Sequence, residues 1–231
     1  MKKPDIGPID SARALAQQVE QLGFLPFFRN ELPGFSIEEH TPARLWFSPT
    51  EDGPWEWKGP VARSGRCLYG KFFKGRAGFI SLARFPDFAN YRRDGYDFDA
   101  LYDDGLASHK DKAVFDVLQE RGSLLSRELK RLSGYGKDGS KGFDTVITRL
   151  QMRSYVCIAD FEYQMDKVGR QYGWGVARYS TPEALFGETL LEEAYRRQPE
   201  DSRRRVYARL RELTGTDDAR IAKVLGDKAI P

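Results

Sequence analysis

The sequence has few of the side chains that build zinc sites or disulfide scaffolds. Its 231 residues include two cysteines, Cys67 and Cys157, and two histidines, His40 and His109. These four residues have no zinc-ligand spacing, so we expect no metal and no cofactor. Two isolated thiols in a chain of this length are typical of a reducing compartment, and we expect a cytoplasmic protein.

Long apolar runs and an excess of one charge are also absent. The longest apolar stretch, Phe24 to Phe28, is far shorter than the ~18–20 residues of a membrane helix. No apolar segment follows the basic N-terminus, so neither a secretion signal nor a membrane partner is expected. The chain has 37 basic and 34 acidic residues and is 40% hydrophobic. The near-equal numbers of basic and acidic residues exclude a disordered polyelectrolyte, and the hydrophobic fraction is large enough to build a core.

The positions of the charges suggest three segments. Residues 1–105 hold 14 basic and 15 acidic residues, residues 106–182 hold 13 and 9, and residues 183–231 hold 10 and 10. We therefore divide the chain into an N-terminal lobe (1–105), a basic middle module (106–182) and a C-terminal helical extension (183–231). The run Ser202 to Arg211 is interpreted as a surface helix whose charges are offset by nearby acids, namely Glu192, Glu193, Glu200 and Asp201.

Within the first segment, the stretch from Arg63 to Arg93 has eight basic residues and one acid, Asp87, interleaved with aromatics. Phosphate neutralisation combined with ring stacking is how proteins hold unpaired bases. The alternative is that the rings form core and the basic stems cover them. We interpret the stretch as a basic aromatic hairpin, with strands 67–73 and 77–81. Its predicted nucleic-acid contacts are Lys71, Lys74, Arg76, Arg92 and Arg93.

Helices are predicted from capping residues and from apolar spacing. Asp10 or Ser11 is the expected N-cap of a first helix that runs to Leu22 and ends at Gly23. From Asp111 onward, apolar residues recur at spacings of three and four over three successive helices. Two strands then follow, over 155–163 and 172–179, around a turn at 166–170. The sequence thus predicts an α+β protein.

Three short helices followed by a hairpin is the order of a winged helix-turn-helix, whose third helix enters the DNA major groove. An apolar stripe would bury one side of this helix, and the other side would face DNA. Arg149 and Gln151 are side-chain types that reach base edges. Lys141 and Arg153 are expected to meet phosphates, and Lys167 and Arg170 are expected at the tip of the wing. The predicted contacts are Lys141, Thr145, Thr148, Arg149, Arg153, Lys167 and Arg170, with Gln151 and Met152 as further candidates. The alternative is a helical subdomain used for protein contacts.

Two other patterns are assigned structural roles. Residues 134–139 match G-x-G-x-x-G but follow a helix and have no βαβ frame, so we expect a turn between the second and third helices. The aspartates between Asp94 and Asp104 do not match a calcium loop. We expect them to form a solvated loop or to pair with the basic stretch.

Two stretches carry a resemblance to a known family. Residues 78–93 have an apolar run, an aromatic-Pro step at Phe85-Pro86 and the paired Arg92-Arg93, and residues 122–129 open a segment that continues to Tyr179. Over roughly residues 55 to 185 the chain resembles the AlkZ/YcaQ group of bacterial winged-helix DNA glycosylases, and most closely the short AlkZ-related proteins. The resemblance implies DNA repair by excision of alkylated or crosslinked bases, with a catalytic Gln-x-Gln or Gln-x-Asp after a Leu-Gly step.

The sequence departs from this catalytic pattern. The matching step is Leu22-Gly23, and Pro26 and Phe28 stand where the polar pair would be. Neither side chain can accept a proton or hold a water nucleophile. We therefore predict a protein that binds double-stranded or damaged DNA and lacks the catalytic motif, with no catalytic residue assigned. The alternatives are an active glycosylase using Asp87, Asn90 or a later aspartate, and a protein-interaction or small-ligand module.

Overall fold

The computed structural model describes residues 5–136, 139–165, 167–168 and 171–227. It has the predicted mixed α+β class. The helices are α1 (Ala12–Leu22), α2 (Ile37–His40), α3 (Pro54–Ala62), α4 (Phe85–Arg93), α5 (Phe98–Asp103), α6 (His109–Arg121), α7 (Ser126–Leu132), α8 (Phe143–Met152), α9 (Pro182–Phe186), α10 (Glu192–Tyr195), α11 (Pro199–Thr214) and α12 (Asp218–Leu225). The strands are β1 (Phe24–Pro26), β2 (Cys67–Phe73), β3 (Arg76–Ser81), β4 (Leu124–Leu125), β5 (Cys157–Met165) and β6 (Gln171–Ser180).

The strands form one antiparallel sheet in the order β1-β3-β2-β5-β6-β4 among the described residues. The sheet crosses the boundary between residues 1–105 and 106–182, where β2 meets β5 at the single pair Tyr69–Ile158. Beyond that pair, the Lys71 backbone N–H donates to Gln151 Oε1 at 3.1 Å. A side chain of α8 therefore satisfies the open edge of β2 where β5 no longer does. The division into three segments stays a prediction.

Local sequence signals set the first elements. The Ser11 side chain accepts a hydrogen bond from the Ala14 N–H at 3.2 Å, and Gly23 ends α1 with a φ of 90°. Both ends of the predicted first helix are confirmed. The β2–β3 hairpin turns through Lys74 and Gly75, whose φ values are 51° and 75°. A glycine suits this turn because it adopts positive φ without strain.

The predicted hairpin stretch ends earlier than Arg93. Residues 85–93 form helix α4, with Pro86 in its first turn. Phe88 of this helix packs on Phe72 of β2, with ring centroids 5.9 Å apart, and on Phe24 of β1 at 6.0 Å. These three rings belong to the hydrophobic core. For them the alternative interpretation, in which the aromatic residues form core and do not stack on bases, is correct. Arg92 and Arg93 lie in the last turn of α4, where the helix dipole favours cations.

Arg93 connects the three predicted segments. Its side chain, in a residue 4% exposed, donates to Glu183 Oε1 at 2.6 Å, to Tyr195 Oη at 2.8 Å and to the Ser154 carbonyl at 2.8 Å. The guanidinium also lies 4.5 Å from the centre of the Tyr155 ring. These partners come from residues 106–182 and 183–231. Arg93 is an internal cross-link, and in this position it cannot reach a phosphate.

Helix α11 and the segment just before it pack against α4 through buried polar contacts. Asp87 accepts hydrogen bonds from Arg197 and Arg205, each at 3.0 Å. Asn90 Nδ2 donates to the Ala194 carbonyl and to Ser202 Oγ, each at 2.9 Å. The predicted surface helix is therefore half core, because one face docks on α4. Its outer arginines are offset by acids one turn earlier, in the pairs Glu200–Arg203 and Asp201–Arg204.

The two cysteines lie in the core. Burial raises the pKa of the Cys67 thiol to about 12 and raises that of Cys157 further. Both therefore behave as small apolar side chains at neutral pH. Within the described ranges, no helix is both long enough and apolar enough to cross a bilayer.

Candidate nucleic-acid interface

Helix α8 has the two faces that its sequence predicts. Gly142, with a φ of 93°, begins the helix without a side-chain cap among the described residues. On the opposite side from the core, Thr145 is exposed, and Thr148 and Arg149 are partly exposed. The apolar stripe is buried as expected, at Phe143, Val146, Ile147 and Leu150.

A surface depression of about 640 Å³ brings the β2–β3 hairpin and α8 together. Lys71 Nζ donates to Thr148 Oγ1 at 3.2 Å. A Cβ on Gly75 would lie 3.4 Å from Thr148 Cγ2 and 3.8 Å from Met152 Sδ, so the hairpin turn covers the C-terminal half of α8. The predicted DNA contacts that line this depression are Lys71, Arg92, Thr145, Thr148, Arg149 and Arg153.

A second depression, of about 620 Å³, adjoins the first and shares Asp144 and Thr145 with it. It lies between α7 and the beginning of α8. Its basic lining is Arg127, Lys130, Arg131 and Lys141. None of these four has a carboxylate partner among the described residues. We call the joined surface the basic track, made of Lys71, Arg127, Lys130, Arg131, Lys141, Thr145, Thr148, Arg149 and Arg153.

Sequence reasoning missed the contribution of α7 to this surface. Arg127, Lys130 and Arg131 fall within five positions, against one acid, Glu128. They come from the second helix of the predicted helix-turn-helix, immediately before the third. This cluster of basic residues, close to α8 in the sequence, was the signal that could have predicted the contribution of α7. The G-x-G-x-x-G turn lies between α7 and α8, as predicted, in its described residues 134–136 and 139.

Arg149 is held in place by a buried carboxylate. Asp111 Oδ1 accepts from Arg149 Nε at 2.9 Å and from Nη2 at 2.7 Å. Asp111 Oδ2 accepts from the Ser108 N–H and hydroxyl, as part of the N-terminal cap of α6. The Arg149 side chain is 40% exposed, and Nη1 makes no hydrogen bond to the described residues. The outer edge of its planar fork is thus free for two acceptors, on a guanine or on a phosphate.

Three other predicted DNA contacts are not part of the basic track: Arg92 lies beneath it, and Lys74 and Arg76 lie apart from it. The Arg92 side chain is 10% exposed and pairs with Asp227 at 2.9 Å, so its charge is neutralised internally. Lys74 and Arg76 are exposed, but they line a different depression beside Phe28 and Glu31.

Two further predictions concern the wing tip and one concerns base reading. Lys167 is exposed at the end of the β5–β6 hairpin, and Arg170 lies outside the described residues. The prediction that Gln151 reads bases is wrong. Gln151 is 0% exposed, and its Nε2 donates to the Ile147 carbonyl at 3.0 Å. The amide of Gln151 is needed to close the edge of β2, which sequence spacing does not reveal.

The stretch that contains Pro26 and Phe28, at the positions of the family's catalytic pair, has a role in the core of the fold. Residues 24–26 form the buried strand β1, in which Pro26 faces Gly78 of β3. Phe28 joins a cluster of rings that includes Phe27, at 5.0 Å, and Trp55, at 6.0 Å. Gln17, Gln18 and Gln21 lie nearby on α1, out of register with this stretch. No proton acceptor stands at either position.

The residues considered as alternative catalytic groups do not converge. Asp87 and Asn90 are buried beneath α11. Asp97 caps α5, and Asp99 pairs with Lys112 at 3.3 Å. The described part of the chain has no group of three or more side chains placed to hold a metal ion. Asp144 is the one acidic residue that lines the basic track among the described residues.

Comparison with known proteins assigns the chain to a family. The AlkZ-related family matches residues 9–226, which is nearly the whole chain. No curated protein and no solved structure matches the chain.

Proposed function

Because the chain belongs to the AlkZ-related family, we propose that it binds double-stranded DNA, intact or damaged, through the basic track. The observation that supports this most is the continuity of the track, to which the β2–β3 hairpin, α7 and α8 all contribute. Electrostatic attraction to phosphates supplies most sequence-independent DNA affinity. The track cations without a carboxylate partner among the described residues are Lys71, Arg127, Lys130, Arg131, Lys141 and Arg153.

Residues 106–182 are proposed to be a winged-helix module. The chain order α6-β4-α7-α8-β5-β6, with β6 between β4 and β5, supports this assignment. In that arrangement α8 lies in the major groove and the β5–β6 hairpin contacts the adjacent backbone. Because the β2–β3 turn covers Thr148 and Met152, base contacts would come from Thr145 and Arg149, in the first two turns of α8.

The proposal predicts a steep dependence of DNA affinity on salt. Each phosphate contact contributes about −0.9 to the slope of log K against log [salt], so six contacts give a slope near −5. Fluorescence anisotropy of a labelled duplex, plain and with one abasic position, measures this slope between low and moderate salt. Weak binding with a slope near zero would instead favour the protein-interaction alternative.

Asp144 favours base excision as a second candidate function. It is exposed at the beginning of α8, inside a surface that would face DNA. A carboxylate in this place could position water against a sugar. In a binding-only protein, Asp144→Asn removes one repulsive charge and tightens DNA binding severalfold. In a glycosylase, the unmodified protein leaves alkali-labile sites in alkylated DNA and Asp144→Asn abolishes them.

A further inference from the structure

Arg149 differs from the other cations of the basic track because it has a carboxylate partner. Asp111 Oδ1 accepts from Arg149 Nε at 2.9 Å and from Nη2 at 2.7 Å. Among the described residues, no other cation of the track is paired with an acid. Phosphates are attracted by uncompensated positive charge, and the Arg149–Asp111 pair has no net charge. The part that Arg149 plays is therefore set by the direction of its hydrogen bonds.

The contacts with Asp111 leave one edge of the Arg149 guanidinium open. Nε and Nη2 form the edge that faces the carboxylate, and Nη1 and Nη2 form the next edge of the same plane. Nη1 makes no hydrogen bond to the described residues, and the Arg149 side chain is 40% exposed. The open edge presents two parallel N–H groups, an arrangement that fits two adjacent acceptors.

The plane of this guanidinium is fixed by the capping of α6. The Asp111 side chain is 4% exposed, and its Oδ2 accepts from the Ser108 N–H at 2.9 Å and from the Ser108 hydroxyl at 2.7 Å. These bonds close the N-terminal end of α6, so the carboxylate cannot turn away without opening that end. A donor pair held in this way loses little freedom on binding and is selective for the geometry of its acceptors.

The position of Arg149 on α8 suits contact with a base edge. It lies one turn after Thr145 on the same face, and both residues line the depression beside the β2–β3 hairpin. The other arginine of this face, Arg153, follows the last residue of the helix and donates to the Leu106 carbonyl at 2.9 Å. Arg149 is thus a long side chain within the helix whose free edge points away from its support.

We infer that Arg149 reads a guanine in the major groove, with Nη1 and Nη2 donating to guanine O6 and N7, and that Asp111 is the residue that positions it. This inference rests on the proposed DNA binding. Guanine presents two adjacent acceptors on its major-groove edge, whereas adenine has a donor beside N7, cytosine has a donor, and thymine has one acceptor beside a methyl group. The protein therefore prefers duplexes that have a guanine at one position of the bound site.

The first experiment finds the preferred base and then removes one of its acceptors. A duplex pool with a randomised centre is selected on the unmodified protein. The conserved guanine is then replaced by 7-deazaguanine, which lacks the N7 acceptor, and anisotropy titration should show about tenfold weaker binding. A duplex with hypoxanthine at the same position keeps O6 and N7 and loses only the minor-groove amino group, so its affinity should stay within about twofold.

Arg149→Lys tests the residue itself, because it keeps the positive charge and loses the planar fork. The preference for guanine over 7-deazaguanine should fall to about twofold or less, while the salt slope stays the same. The matched control is Arg127→Lys, the same substitution at an exposed cation of the track. This control should keep the tenfold preference.

Asp111→Asn tests the positioning role with a readout that a folding defect would not give. The variant keeps an oxygen for the α6 cap and removes the charge that neutralises Arg149. Affinity for a duplex without the selected site should rise severalfold, because a cation of the track is released. The guanine preference should fall toward that of Arg149→Lys. A decrease in both quantities would contradict the positioning role.

The results that overturn the inference differ from those that overturn the proposed function. A selected pool without a conserved guanine, or a guanine preference that survives in Arg149→Lys, removes the guanine contact. If the salt slope is steep in that case, DNA binding by the basic track still stands. A slope near zero on every duplex removes both.

Discussion

The double variant Lys130→Ala/Lys141→Ala is expected to bind duplex DNA about 100-fold more weakly at 0.1 M salt. Each lysine that no longer neutralises a phosphate removes about 0.9 from the salt slope, so the slope should fall in magnitude by about 2. The loss should be the same for all duplex sequences, because neither side chain is placed as a base reader. Anisotropy titrations across a salt series measure both quantities.

The control for this variant is Arg211→Ala/Lys223→Ala, which removes two exposed cations from α11 and α12. Neither of these residues lines the basic track. An equal loss of affinity in the control would show that net charge, and not the track, attracts DNA. Because all four side chains are exposed, both variants should keep their stability within about 0.5 kcal/mol.

Arg93→Met is expected to lower the free energy of unfolding by about 3–5 kcal/mol. The change leaves Glu183 as a partly buried carboxylate with no cation among the described residues, and it leaves the Ser154 carbonyl without its donor. Such a loss is a large part of the ~5–15 kcal/mol by which native proteins are stable. Urea denaturation, followed by tryptophan emission, gives the value.

Arg211→Met is the matched control, because Arg211 also pairs with a carboxylate, Asp218, but in solvent. This exposed pair is worth at most about 1 kcal/mol. The double variant Arg93→Met/Glu183→Met should recover much of the lost stability, since it removes the unpaired charge as well. If Arg93→Met costs no more than Arg211→Met, the cross-link between the three segments is not what stabilises the fold.

Elements fixed by nearby residues could be predicted from the sequence. The ends of α1 depend on Ser11 and Gly23, and the β2–β3 hairpin depends on a turn of two residues, Lys74 and Gly75. The buried stripe of α8 follows from spacing alone. In each case the partners are within a few positions of one another, so composition and periodicity contain the information.

The positions that could not be predicted depend on distant partners. Arg92 and Arg93 have the composition of a phosphate-binding pair, yet Asp227 and Glu183, 135 and 90 positions further along, hold them inside. Asp87 and Asn90 are likewise covered by α11. A local excess of charge cannot reveal that its counterions arrive from the far end of the chain.

The candidate site was predicted in part for the same reason. Thr145 and Arg149 followed from the face of α8, and Lys71 followed from the charge of the hairpin. Their meeting in one depression depends on the β2–β5 contact and on Gln151, which no spacing indicates. The role of Asp111 as the support of Arg149 was also hidden, because it is 38 positions away.

The single pair between β2 and β5 has a consequence for biosynthesis. β2 and β3 can pair as soon as both have left the ribosome, but β5 begins at Cys157, more than eighty residues after β2 ends. At ~5–20 residues per second, the growing chain carries an open strand edge for several seconds. An unpaired edge is a template for aggregation, and a lysine on it is a common safeguard. Lys71 stands on that edge, so the lysine that we propose as a DNA contact in the mature protein is also expected to protect the unfinished chain from aggregation.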